Sequence, residues 1–433
     1  MKRTSTVVIL SGIIVILAVA LAGTLLYIKN QPAPERGIPP LVEIAPMEPD
    51  SSKWGVNFPN QYSTLQLTLT NKARTTYGGS EPFSHLEDDP RQVILFGGYP
   101  FSKDYNDDRG HLNALTDVRA TKRVNEKTAG TCYSCKSSDN PHLWAEMGMA
   151  TFDKTLFKDL GAQITNPIGC ANCHEANTMR LVVTNPALKE ALEAQGKDWT
   201  TFTRQEMRTV VCANCHVEYY FAGEGKYLTF PWSGGTRIEN ISQYYIDLGF
   251  KDWDHAQSGA PMIKMQHPEY EFFTADSTHY KAGVACADCH MPYTREGAAK
   301  FSTHDVKSPL LNADTACGAC HTDVAYVTGR VAVIQKQVYD TKIATEDAIV
   351  AAIEAIEAAA ATPDVNPTVL AEARNLHREA QLRWDFISAE NSMGFHNPEE
   401  ALRILANATD LARQAQLKAV QAAGTPSVIQ ASN

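Results

Sequence analysis

The alternation of apolar and polar positions divides the chain into stretches of different character. Lys2 and Arg3 precede an apolar run over about residues 7–28, long enough to cross a bilayer, with the small-residue site Ala20-Leu21-Ala22 inside it. Residues 1–30 are therefore expected to direct export, either retained as a membrane anchor or cleaved as a signal. Residues 31–50 are rich in proline and are expected to form an extended linker. Over residues 51–325 aromatic side chains and loop formers are interleaved without a sustained period, which predicts short helices, little sheet and many loops. Asn185-Pro186, followed by Ala187-Leu188-Lys189-Glu190-Ala191-Leu192, marks one helix start, with a capping residue and a proline in the first turn.

Beyond this region the pattern changes. Residues 331–361 are rich in alanine, isoleucine, valine and glutamate, and Ile349, Ala352, Ile353, Ile356 and Ala360 recur at helical spacing. They predict a long helix ended by Thr362-Pro363. A second is expected over residues 367–392, and a third from Asn397-Pro398 to about residue 423. Residues 326–425 thus form a layer of long helices ahead of a short tail, residues 426–433. Its alanine-rich faces suit close packing within one chain or between two copies. The expected fold class is mainly α.

The 433 residues carry a formal charge of −10, which gives no reason to expect a nucleic-acid partner. An anionic substrate would need a local cationic patch. The ten cysteines narrow the chemistry further, because all of them fall in five C-x-x-C pairs. Four pairs are followed by histidine: Cys170 and Cys173 with His174, Cys212 and Cys215 with His216, Cys286 and Cys289 with His290, and Cys317 and Cys320 with His321. C-x-x-C-H is the haem c attachment pattern, two thioether positions and an axial imidazole. The fifth pair, Cys132 and Cys135, is followed by Lys136. Five haem c groups are expected, and their bulk accounts for the weak periodicity of residues 51–325. Residues i, i+3 and i+4 share a helix face, so helical turns are expected at several motifs. Haem c attachment normally takes place outside the cytoplasm, in agreement with an exported chain.

Four of the thirteen histidines are the proximal ligands just named. The others are His85, His111, His142, His255, His267, His279, His304, His377 and His396, more than enough to close four irons on their second face. Lys136 differs, because only a neutral amine can donate to iron and its pKa must fall for that. If Lys136 binds one face and no protein group binds the other, substrate has an open site.

The combination resembles the ammonia-forming cytochrome c nitrite reductases, a pentahaem family. The likeness is carried by Gly97-Gly98-Tyr99-Pro100-Phe101-Ser102, Arg109-Gly110-His111, the Cys132 to Lys136 motif, Val217-Glu218-Tyr219-Tyr220-Phe221, Lys264-Met265-Gln266-His267-Pro268-Glu269-Tyr270 and Gly394-Phe395-His396. It implies a multihaem cytochrome c fold, residues 51–325 packed around five haems, and a C-terminal layer that dimerises. It also implies six-electron reduction of nitrite to ammonium, with electrons from a multihaem membrane quinol dehydrogenase or another cytochrome c, in the periplasm or at the outer face of the cytoplasmic membrane.

By the same resemblance, Tyr219, His267 and Arg123, with Arg119 as the alternative arginine, surround the open face of the Lys136 haem. One Ca2+ is expected on the Glu218 carboxylate, the Tyr219 and Lys264 carbonyls and the Gln266 side-chain oxygen. His111 would be the distal ligand of the Cys212 haem, His304 of the Cys170 haem, His279 of the Cys317 haem and His396 of the Cys286 haem. His85, His142, His255 and His377 are left to structural or surface roles. Two other readings stay open at this point: a multihaem electron carrier without substrate, and a related reductase that prefers sulfite or hydroxylamine.

Overall fold

The computed structural model describes residues 13, 14, 16–24, 40–107 and 109–424. Contacts divide the chain into two units, Met1–Glu43 and Ile44–Asn433. In the first, residues 16–24 are helical and exposed. Among the described residues no helix is long and apolar enough to cross a membrane. The rest of the expected export segment, residues 31–39 of the linker and the tail at 426–433 lie outside the described residues.

The second unit begins on Ile44, which is buried against Trp54, Ala171 and Ala176. The Trp54 indole N–H donates to the Glu48 carbonyl at 2.9 Å and ties the entering strand down. Before residue 324 no described helix exceeds the twelve residues of Pro59–Thr70. The sheet content is four two-stranded antiparallel ladders, the longest pairing Tyr293–Glu296 with Ala299–Ser302. Local signals set these short elements. Asn185 caps Pro186–Ala194 by accepting the Ala187 N–H at 3.0 Å. Thr203 and Glu206 form a reciprocal capping box at Arg204–Val210.

Three long helices follow, Val324–Ala360, Pro367–Ala389 and Pro398–Ala422. The first starts seven residues before the expected start at residue 331, because Asp323 accepts the Tyr326 N–H at 2.9 Å and caps it there. Pro363 prevents its continuation, and Asn366 caps the second helix through the Thr368 and Val369 N–H groups. The third helix lies along both others, with Ala401, Ala408, Ala412, Ala415 and Ala419 fully buried. Alanine allows this close approach because it brings no side chain that needs a groove.

Two apolar clusters matter for the site. One gathers Tyr133, Phe152, Phe157, Leu160, Leu188 and Trp232 around the first cysteine motif. The other joins Phe96, Trp253, Met265 and Phe272 to Trp384, Phe386, Ile404 and Leu405 of the long helices. Burial of each large side chain contributes roughly 1.5–3 kcal/mol, so the layer and the segments around His267 are held as one packed body. His255 and His377 are structural: His255 meets the Ile94 carbonyl at 2.8 Å, and His377 lies between Ser258 Oγ and Gln381 Oε1, each at 3.0 Å.

Candidate active site

Helical turns occur at the cysteine motifs, but they are short and mostly of the tighter 3-10 kind. Gly130–Tyr133, Cys170–Asn172 and Val211–Asn214 are 3-10 turns, and Cys286–His290 is one short α-helix. The Val211–Asn214 turn continues directly from the helix Arg204–Val210, whereas the others stand between loops. In three C-x-x-C-H motifs the histidine N–H donates to the carbonyl of the first cysteine, four residues back: His174 to Cys170, His216 to Cys212 and His321 to Cys317, each at 2.9 Å. Lys136 instead donates to Tyr133, three residues back, at 2.9 Å. No two cysteines form a disulfide.

Three of the four expected axial pairs come within ring-contact distance across the chain. Ring centres are 6.2 Å apart for His174 and His304, 6.4 Å for His279 and His321, and 6.1 Å for His290 and His396. Two imidazoles on opposite faces of one metal, each with a bond of about 2.0–2.1 Å, have ring centres about 6 Å apart, so these residues fit a haem iron between them. Burial pushes His111, His290 and His304 down to about 4, which keeps each a neutral donor. His111 follows Gly110, whose φ of 95° favours glycine, and the His216 and Lys136 charges bear on it. His216 has a second neighbour, His267, with ring centres 6.3 Å apart.

Around the first motif the packing is tight. Thr131 donates to the carbonyls of Asp153 and Lys226, and Tyr133 stacks on Phe157 at 3.9 Å. Gly130 is required: a Cβ there would lie 2.3 Å from Leu160 Cδ1 and 2.6 Å from the Phe152 carbonyl oxygen. Burial raises the Tyr219 phenol well above its ordinary value, the Cys135 and Cys132 thiols add to this, and the Arg123 guanidinium opposes it. Tyr219 and Arg123 therefore both lie near the cysteines that precede Lys136. Arg123 rests 3.9 Å over the Phe101 ring, and its Nε donates to Thr121 Oγ1 at 3.1 Å. Thr121 in turn donates to Asp104. Arg119 is engaged elsewhere, donating to the Gly161 and Ile164 carbonyls at 2.9 and 2.6 Å.

Segments 216–219 and 264–271 cross here. The Gln266 N–H donates to Glu218 Oε2 at 2.6 Å, the Glu218 N–H to Glu271 Oε1 at 2.8 Å, and the His267 N–H to the Val217 carbonyl at 3.3 Å. Glu218 is fully buried, and its carboxylate also accepts from the Tyr245 hydroxyl at 2.8 Å. Burial raises its pKa well above the ordinary value, so an ionised Glu218 calls for a cation. The Gln266 side-chain N–H donates to the Lys264 carbonyl at 3.0 Å, which puts the Gln266 amide beside that carbonyl, while the Gln266 backbone N–H meets Glu218. This set fits Ca2+. Among the described residues no three of His, Cys, Asp and Glu gather as a metal site of their own, and an oxygen set with one carboxylate is consistent with that.

Asp385 is a site residue that the sequence reading missed. On the second long helix and buried, it accepts from Lys264 Nζ at 2.9 Å and from the Met265 N–H at 2.8 Å. The Lys264 ammonium also lies within 5.1–5.2 Å of the Phe96, Phe101 and Tyr105 ring centres. The Lys264 side chain thus anchors in the protein while its carbonyl accepts from the Gln266 side chain. The available signal was an aspartate between Trp384 and Phe386, inside an otherwise apolar run.

Comparison with known proteins shows the family and the fold. The cytochrome c552 family profile matches residues 50–433. A cytochrome c-552 from Parabacteroides distasonis is 43% identical over 387 residues, covering 87% of this chain and 77% of that protein. One from Bacteroides fragilis is 42% identical over 384 residues, covering 87% and 78%. The catalytic subunit of cytochrome c nitrite reductase from Desulfovibrio desulfuricans, described with two calcium sites, superimposes with a TM-score of 0.85 at 36% identity, covering 89% of this chain and 88% of that one.

Proposed function

The chain belongs to the cytochrome c552 family, and we propose that it reduces nitrite to ammonium at a haem carried by Cys132 and Cys135 and ligated by Lys136. It is an oxidoreductase of the cytochrome c nitrite reductase class, and haem c and calcium are its cofactors. The proposed counts are five haems and one Ca2+ beside Glu218. The observation that carries the reading is the gathering of Arg123 and Tyr219 at the one motif that ends in lysine, with His267 on the segment that crosses Glu218.

The reaction consumes six electrons and eight protons per nitrite and releases ammonium and two waters. A haem on Cys132 and Cys135, with Lys136 as its protein ligand, would supply an iron that could take a small anion, and haems on the other four motifs would supply electrons. Arg123 is placed to hold the anion, and its charge offsets the net negative charge of the chain locally. Tyr219 keeps its proton at any physiological pH, so it serves as a hydrogen-bond donor to a nitrite oxygen. His267 is the residue type that takes up and delivers protons near neutrality. Asp385 and the rings around Lys264 hold the His267 segment in register with Glu218.

Electrons would arrive from a cytochrome partner outside the cytoplasm. Val333, Leu417 and Val420, exposed on the long helices, suit a second copy of the chain. The test is low-temperature EPR of the oxidised holoprotein with and without nitrite, together with ammonium assays using a reduced dye. A high-spin signal that changes with nitrite, and ammonium as product, are expected. A spectrum with low-spin haems only, unchanged by nitrite, means a carrier. Sulfite or hydroxylamine reduced in strong preference to nitrite moves the substrate assignment to that anion or amine.

A further inference from the structure

Five of the eight expected histidine ligands have a partner at Nδ1, which leaves Nε2 for iron. For three of them the partner is a backbone carbonyl: Met179 for His174, Lys307 for His290 and Ser302 for His304, at 3.0, 3.0 and 2.9 Å. For two it is a carboxylate: His396 Nδ1 lies 3.2 Å from Glu390 Oε2, and His216 Nδ1 lies 3.6 Å from Glu269 Oε2. The expected haems therefore differ in what stands behind their ligands. Between His174 and His304 both imidazoles are backed by carbonyls. Between His290 and His396 one is backed by a carboxylate.

Glu390 is built into its place. Its side chain is fully buried and lies at the end of the second long helix. The Ser392 N–H, the Ser392 hydroxyl and the Gly394 N–H all donate to it, so the turn leading to His396 is wrapped around the carboxylate. These donors are neutral, and the His396 ring is its ion-pair partner.

We propose that Glu390 makes the haem held between His290 and His396 harder to reduce than the haem held between His174 and His304. Glu390 stands at ion-pair distance from His396 Nδ1 without an aligned hydrogen bond, so it acts through its charge. A buried anion beside the ligand favours the ferric iron, which carries one more positive charge, and burial is among the levers a protein has on haem potential. Electrons that reach this haem leave it readily for its neighbours. The inference rests on the reading that the chain binds haem through these histidine pairs.

The test is a redox titration of the holoprotein, each low-spin haem followed by EPR, in wild type and Glu390→Gln, with attached haems counted by mass. The midpoint of one low-spin haem should rise by about 59 mV, a tenfold change in its one-electron equilibrium, while the other low-spin midpoints stay in place. Five attached haems with every midpoint unmoved overturns the proposal. If the Gln variant loses a haem, Glu390→Asp is measured in its place, since it keeps the charge but withdraws it by one methylene. A smaller upward shift is expected there, and an unmoved midpoint again overturns the proposal. Wild-type protein without any bis-imidazole signal removes the haem-pair reading and the proposal with it, an outcome distinct from an unmoved midpoint.

Discussion

In the long-helix layer Ala408, Ala412 and Ala415 are fully buried along one helix, and the chain holds itself together by apolar contact at regular spacing. In the body the work is done by single polar side chains that bind loop backbone. Asp139 accepts the Thr165 and Asn166 N–H groups at 2.6 and 2.7 Å, Asn140 donates to the Tyr133 and Ser134 carbonyls, and Asn214 accepts the Thr184 and Asn185 N–H groups. Each satisfies buried backbone that no helix or sheet pairs. A layer built by periodicity can form from its own side chains. A body built from turns depends on many separate ties, and the haems expected at five of those turns would add covalent ones.

The largest test of this contrast is to make the chain without haem attachment. The body should lose its order while the layer stays helical, so limited proteolysis and mass spectrometry should find a protected fragment beginning near Val324. Uniform cutting along the chain would break the comparison. Next in size is Gly130→Ala, whose Cβ would meet Leu160 and the Phe152 carbonyl. It should cost about 1–3 kcal/mol in the holoprotein, read as a lower Tm, with turnover to ammonium falling as well.

A smaller effect concerns acid. Burial lowers His377 to about 3, so its folded pKa lies below the unfolded value near 6.5. Its contribution to stability is fully present above pH 6.5 and declines as pH falls toward 3, by up to about 1.4 kcal/mol per pH unit. His377→Gln should flatten the fall in Tm between pH 6.5 and 4.5; an unchanged slope assigns the acid sensitivity to other groups. The smallest expected effect is a gain. Gly329 lies inside the first long helix with open space around it, so Gly329→Ala should stabilise by about 0.5–1 kcal/mol, measured by denaturant midpoint.

The same division decided what could be read from the sequence. The layer was legible because alanine and isoleucine repeat at helical spacing and Pro363, Pro367 and Pro398 punctuate it. Its one sizeable error was the start at Val324, where the Asp323 cap precedes the apolar stripe. In the body the cysteine motifs stood out as chemistry, but their turn geometry did not. That geometry depends on Phe157, Leu160 and Asp153, which lie more than fifteen residues past Cys132. A distant partner such as Asp385 for Lys264 was invisible for the same reason, and even Glu390, six residues from His396, was missed: a carboxylate on a helix does not announce which loop it will hold. Arg123 and Arg119 looked alike as letters. In the fold Arg119 is committed to the Gly161 and Ile164 carbonyls.

The backbone bond of Lys136 bears on how such sites can be acquired or transplanted. Its N–H reaches back three residues, whereas the histidines compared with it reach back four, so the backbone at 136 is wound differently from those three turns. Histidine written at 136 would stand on a turn unlike theirs, and lysine written into one of theirs would do the reverse. A designer moving this motif to another cytochrome would therefore carry residues 130–140 together with the surfaces they lean on.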